Sequence, residues 1–315
     1  MDNISPDQRK GAREDARPLA IVDAHHHLWD LRRFPYPWLA PEAPPRRFGD
    51  HSAIKRNFLP ADYLKQFGRL ELAGSVHVQA NCGAEDPSEE TAWLAELSRQ
   101  CGVPQAAIGY SDLSAPDAEA VLAAHARYPI TRGVRALVAF DTAGNWRFAD
   151  RPHVLGERRF IQNAALLPDL GFSLDVVIVP EQLTEIADLA AELPDLAIIV
   201  NHLGTAEQHT ETIWRENLVR LSHLPNVTMK LSGLWSIDRH WSPDRLRPFI
   251  SHALATLGAD RLMYGSNSPV EGLHCPVDRQ VSVLSQLVCE SDPGALDKIF
   301  SETARRVYRL AAIRA

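Results

Sequence analysis

Ile21-Val22-Asp23-Ala24-His25-His26-His27-Leu28-Trp29-Asp30 is the stretch on which the fold turns. Its short apolar start reads as a buried strand. Side chains two apart on a strand share a face, so His25 and His27 project together and His26 points away. Two imidazoles side by side at a strand end make half of a metal site, or a pair of hydrogen-bonding groups for a substrate. The same residues could also be surface histidines in a loop, because His-x-His is a short motif. The rest of the chain bears on the choice.

Working outward, strand-like runs recur: Ile21 to His25, Ala73 to Asn81, Ala106 to Leu113, Arg132 to Ala139, Ser173 to Val179, Leu196 to Val200, Asn226 to Ser232 and Arg261 to Tyr264. Helical patterns separate them at Asp62 to Leu72, Ser88 to Cys101, Pro116 to Tyr128, Arg158 to Leu170, Glu181 to Leu193, Glu211 to Leu224 and Pro243 to Leu257, with two more near 278–290 and 294–311. Strands alternating with helices argue for a parallel sheet. Eight such units in one chain of 315 residues predict an α/β fold, a single-domain (β/α)8 TIM-type barrel over residues 20–315. The rival is an open doubly wound sheet, but no Gly-x-Gly-x-x-Gly follows the first strand. Residues 31–60 and 140–156 are long insertions rich in aromatics, expected to act as lid loops over the barrel mouth.

Composition narrows the function. A net charge of -7 and the lack of any basic run argue against nucleic acid as a partner. No apolar run is long enough for a membrane span. Residues 1–19 are polar and have no apolar core, so they read as a flexible tail, not a signal peptide. Cys82, Cys101, Cys275 and Cys289 show no Cys-x-x-Cys spacing and read as reduced thiols of a cytoplasmic protein.

In a (β/α)8 barrel the C-terminal strand ends converge on one mouth. The polar residues near those ends are His25, His27, His77, Gln79, Asp112, Arg135, His202, Lys230, Ser232 and Asn267. A His-x-His on the first strand together with His202 after the sixth points to a shared site.

The chain resembles the amidohydrolase-related barrels, and among them the lactonase-like branch. The resemblance rests on Asp23-Ala-His-His-His-Leu-Trp-Asp30, Tyr36-Pro-Trp-Leu39, Asn57-Phe-Leu-Pro60, Val76-His-Val-Gln-Ala80, Gly133-Val-Arg135, Asn201-His-Leu-Gly204, Lys230-Leu-Ser-Gly-Leu234 and Tyr264-Gly-Ser-Asn-Ser-Pro-Val270. It implies a hydrolase that opens a lactone or similar cyclic ester by water attack. The small-molecule substrate is expected to be a carboxylated lactone.

In that reading His25, His27, His202 and Asn267 are the catalytic set, and the three histidines hold one divalent ion, zinc or manganese, if the site uses a metal at all. Arg135 would hold a substrate carboxylate. Gln79, His77, Tyr36, Trp38 and Ser232 are candidates for substrate binding, although Tyr36 and Trp38 could equally anchor their loop. One departure stands out: Asn267 occupies the place where most of the family carries an aspartate. An amide cannot act as a general base near neutrality, and it adds no negative charge to a metal site. The alternatives are a metal-dependent non-oxidative decarboxylase, or a ligand-binding barrel altered in catalysis.

Overall fold

The computed structural model describes residues 18–311. Eight parallel strands lie in chain order: β1 (Ala20–His26), β2 (Glu71–Val78), β3 (Ala106–Tyr110), β4 (Thr131–Leu137), β5 (Ser173–Val177), β6 (Ile198–Val200), β7 (Val227–Leu231) and β8 (Leu262–Tyr264). Between them run α1 (Pro60–Phe67), α2 (Ser88–Cys101), α3 (Ala118–Ala126), α4 (Arg158–Ala164), α5 (Leu183–Glu192), α6 (Glu211–Leu221) and α7 (Pro243–Leu257). Two more, α8 (Val277–Ser291) and α9 (Thr303–Tyr308), end the chain. Neighbouring strands pair in parallel from β1 through to β8, with register shifts in the β1–β2 and β3–β4 pairs, the arrangement expected of a (β/α)8 barrel rather than an open doubly wound sheet.

The seam between β8 and β1 is closed by other means. The Asn267 N–H donates to the His25 carbonyl at 2.7 Å, and the His27 N–H donates to the Ser268 carbonyl at 2.8 Å. Beneath these bonds the buried Asp23 carboxylate accepts from the Ser266 N–H (2.7 Å), the Ser266 hydroxyl (2.6 Å), the Tyr63 hydroxyl (2.9 Å) and the His25 N–H (3.2 Å). A π-helical turn, Lys298–Glu302, leads into α9 and packs on both seam strands.

Several elements are shorter than their patterns suggest. The helix expected to reach Leu72 stops at Phe67, because Gly68 turns at φ 54° and Glu71 and Leu72 join β2. The run expected to continue as a strand to Asn81 leaves the sheet after Val78, and Asn81 itself sits at φ 53°. The helix expected over 294–311 is broken into a 3-10 turn at Pro293–Ala295, the π-helical turn and α9. Asp112 lies past the end of β3, where its carboxylate accepts from the Ser114 N–H at 2.9 Å. The tail expected over residues 1–19 falls outside the described residues, save for residues 18 and 19. Among the described residues no helix is long and apolar enough to cross a membrane.

Asp23 is the acceptor that four donors at the seam depend on. Replacing it by alanine strands several buried donors, each costing about 1–3 kcal/mol. Asp23→Ala is expected to lose at least about 3 kcal/mol in urea unfolding, against about 1 kcal/mol for Tyr63→Phe, which removes one neutral donor. Equal, sub-kilocalorie losses for both would show that the seam does not rest on Asp23.

Candidate active site

The seam delivers β1's histidines to the barrel mouth. The His25 ring lies 5.1 Å from His27 and 4.6 Å from His202, centroid to centroid. His26 points the other way and stacks 3.9 Å from the Tyr63 ring of α1. His202 follows β6 in a left-handed stretch, with Leu203 and Thr205 also at positive φ. Such backbone costs energy for residues with a Cβ and clusters at functional sites. Gly233 makes room for it: a Cβ there would come within 2.6 Å of the His202 side chain. Asn267, at φ 48°, is turned to face His27.

A cavity of about 410 Å³ opens at this mouth. Its floor includes His27, His202, Asn267 and Arg135. Its walls come from the two long loops, with Trp38 and Arg46 to Phe48 from the first and Asn145 to Phe148 from the second. The loops clasp each other, because the Arg47 guanidinium lies 4.6 Å over the Trp146 ring and pairs with Glu207. The Trp146 indole N–H also reaches Glu207, at 3.5 Å.

Proton placement follows from the hydrogen bonds. His27 Nδ1 is 2.7 Å from the Val78 carbonyl, so it must carry the N–H. Burial and the Arg135 charge hold His27 well below the usual histidine range, so the ring is neutral and Nε2 is a bare lone pair. Nε2 lies 3.1 Å from Asn267 Oδ1, which would set two acceptors face to face, so the amide is assigned turned end for end with its NH2 toward the ring. The two ends of an amide are isosteric, and only its NH2 end satisfies a lone pair. His202 Nδ1 is 3.0 Å from the Ser232 hydroxyl, leaving Nε2 as the nitrogen available to the cavity. Burial, Arg135 and Lys230 push His202 down to about 3, so this ring too is neutral near pH 7.

Arg135 is buried, donates from Nη2 to the Gln79 carbonyl at 2.5 Å, and leaves its Nε without a partner. Burial pulls it down to about 10, still well charged near neutrality. Lys230 does not reach the cavity and instead forms a fully buried pair with Asp175 at 2.5 Å. Asn201 and the Tyr308 hydroxyl also donate to Asp175.

Of the residues singled out in the sequence, His27, His202, Asn267, Arg135 and Trp38 line one cavity. His25 sits behind it, with both ring nitrogens buried and unpartnered. His77 is buried beside His26 and His27, 3.3 Å from the Leu28 carbonyl, and is not part of the cavity wall. Ser232 touches His202 from below. Gln79 lines a neighbouring groove, and Tyr36 is wholly buried against Phe34. Sequence reading passed over Arg46, Arg47 and Glu271. The Glu271 carboxylate accepts from the Gly233, Trp235 and Ser236 N–H groups at 2.8–2.9 Å and so shapes the loop after β7. An acid in the turn after strand eight was the only signal for it.

The family model for the amidohydrolases matches residues 22–310. The chain belongs to the amidohydrolase family. An uncharacterised protein of Sinorhizobium fredii, y4mH, is 32% identical over 295 residues, covering 93% of this chain and 99% of that protein. An L-fucono-1,5-lactonase of Burkholderia ambifaria is 32% identical over 298 residues, covering 92% and 95% of the two chains. A crystal structure of an amidohydrolase from Burkholderia multivorans with bound zinc superposes with a TM-score of 0.75 at 26% identity, over 93% of this chain and all of that one.

Among the described residues no three His, Cys, Asp or Glu side chains stand where they could hold a metal ion together. His27 Nε2 is engaged by the Asn267 amide, and no carboxylate among the described residues lines the cavity. A donor set without a carboxylate, and with His27 Nε2 already engaged, is a poor fit to a divalent ion.

Two expectations follow. Asn267→Asp places a carboxylate against the His27 lone pair, a contact that needs a cation or a proton between the two. The variant should bind zinc at least about ten-fold more tightly than the parent by calorimetry at pH 8, with a smaller gain at pH 6, where protons compete for the imidazoles. No gain at either pH would remove Asn267 from the metal position. The second concerns Glu90, which supports the cavity wall by accepting from the Ala80 N–H at 3.1 Å. Burial pushes this carboxyl from 4.5 up to about 7. The folded protein therefore holds the proton where the unfolded chain has lost it, and stability falls as pH rises through that range. Glu90→Gln lacks this loss, so urea unfolding at pH 5 and pH 8 should show the variant gaining on the parent by about 2 kcal/mol.

Proposed function

We propose that the chain hydrolyses a lactone, or a similarly activated cyclic ester, that carries a carboxylate. The observation that supports this most is the meeting, in one cavity that no carboxylate among the described residues lines, of a buried Arg135 with an unpartnered Nε and a neutral His202 with an open Nε2. Arg135 takes the substrate carboxylate, as guanidinium pairs well with a planar anion. The Asn267 NH2 gives one hydrogen to His27 Nε2, and its second hydrogen is free to donate to the ester carbonyl oxygen. His202 Nε2 accepts a proton from water as the water oxygen bonds to the carbonyl carbon. The ring C–O bond then breaks, and the same proton passes to the departing alkoxide.

His202 is a weak base, which suits an activated ester and not an amide. Substrate binding helps, because a carboxylate on Arg135 offsets one of the charges that depress His202. No step in this scheme passes through a metal ion.

A pH-stat screen of neutral and carboxylated lactones tests the reading. Carboxylated lactones should be turned over. In general acid–base catalysis a positioned group supplies about 10²–10⁴-fold, so His202→Gln should lower kcat by that order. Arg135→Gln should act mainly on KM. If no lactone is opened, or if His202→Gln retains full kcat, the proposal fails.

A further inference from the structure

Glu271 is fully buried, takes no part in the scheme above and does not line the mouth cavity. It opens the 3-10 turn Glu271–Leu273 that follows β8. Its two carboxylate oxygens have different partners. Oε1 accepts from the Trp235 N–H at 2.8 Å, the Ser236 N–H at 2.9 Å and the Ser236 hydroxyl at 3.0 Å. Oε2 accepts from the Gly233 N–H at 2.9 Å. Converging backbone N–H groups make a concave seat for an anion, and here the chain's own carboxylate fills it. Burial pushes the carboxyl up to about 8, while these donors pull it down.

The two segments that Glu271 joins each carry a member of the reacting set. On its own side, the Glu271 N–H donates to the Asn267 carbonyl at 3.1 Å. On the far side, Gly233 lies against His202, close enough that a Cβ on it would come within 2.6 Å of the His202 Cβ. Ser232, the residue before it, meets His202 Nδ1 at 3.0 Å. Gly233 stands at φ 73°, one of many conformations open to glycine, so its place depends on what it is bonded to. His202, at φ 54°, is held in a conformation that its surroundings must enforce.

We infer that Glu271 is a positioning residue: by bonding Gly233 from the turn that holds Asn267, it fixes the His202 ring relative to the Asn267 amide. The inference rests on the hydrolase reading for the reaction that the two groups serve, and on the hydrogen bonds for the rest. Glutamine has nearly the same shape. Its Oε1 can keep Trp235 and Ser236, and its NH2 then faces the Gly233 N–H, donor against donor. Glu271→Gln therefore spares most of the loop and releases Gly233.

Two readouts test this at about pH 9, where burial no longer keeps the carboxyl protonated. The first is the His202 ring in 15N NMR, identified by its absence in His202→Gln, and it needs no substrate. The parent should show one tautomer, with the proton on Nδ1. Glu271→Gln should move both ring nitrogens toward the averaged shifts of a free imidazole. The second is turnover of a carboxylated lactone that the parent opens, corrected for the uncatalysed rate. There kcat should fall about ten-fold or more, since misplacement on the ångström scale can cost about 100-fold. KM should stay within about two-fold, because Arg135 sits on β4, outside this loop. Gly233→Ala presses a methyl against His202 and should reproduce both changes, and the double variant should be little worse than the worse single one. Should Glu271→Gln fail to fold by circular dichroism, Glu271→Asp, which keeps the charge and shortens the reach, is read in the same way. An unmoved His202 signal in a folded Glu271 variant, a loss in KM alone, or additive losses in the double variant each overturns the inference. A parent that opens no lactone while the ring signals still move counts against the hydrolase reading alone.

Discussion

The closure of β8 onto β1 is the constraint on which the rest of the molecule depends. β8 is three residues long, so ladder pairing cannot carry the seam by itself. A buried carboxylate does much of the work. Asp23 gathers the Ser266 backbone, the Ser266 hydroxyl, Tyr63 and the His25 N–H onto one group. The two backbone bonds just above it join His25 to Asn267 and His27 to Ser268. The atoms that close the barrel are thus interleaved in sequence with the side chains that face its mouth.

That interleaving has an electrostatic side. Asp23 is pushed up to about 6 by burial, while His25 and His27, its neighbours in sequence, are pushed far down. Arg135 and Lys230 add their charges to the burial of His25 and His202. The imidazoles are therefore kept neutral and available as acceptors. The Asn267 amide suits this field, since it satisfies the His27 lone pair without bringing a charge that the site would have to neutralise.

Much of this was legible in the chain because it depends on local periodicity. The eight-fold alternation and the opposite directions of His25 and His26 follow from pattern alone, and the order of the strands follows from the connections. What was not legible depends on where the chain stops being periodic. Gln79 turns to a side groove because β2 ends at Val78 and Asn81 takes a left-handed turn. Tyr36 reads like a cavity wall because it is an aromatic in a long loop, but it is buried against Phe34 as loop core. The pairing of Lys230 with Asp175 joins residues 55 positions apart, which no spacing rule reports. Arg46 and Arg47 lie in a segment without repeat or alternation, so only the folded loop brings them to the cavity wall.

The loop clasp has a consequence for how such a protein diversifies. Arg47, Trp146 and Glu207 belong to connections between strands, and none of them takes part in the seam. A lineage can exchange them, and with them the charge and span of the mouth, without disturbing the bonds that hold the barrel shut. Floor residues enjoy less freedom, because the Asn267 side chain meets His27 and its backbone holds the left-handed φ of 48° that few residues adopt. Drift in ligand preference should accumulate in the two loops, and the floor should resist it.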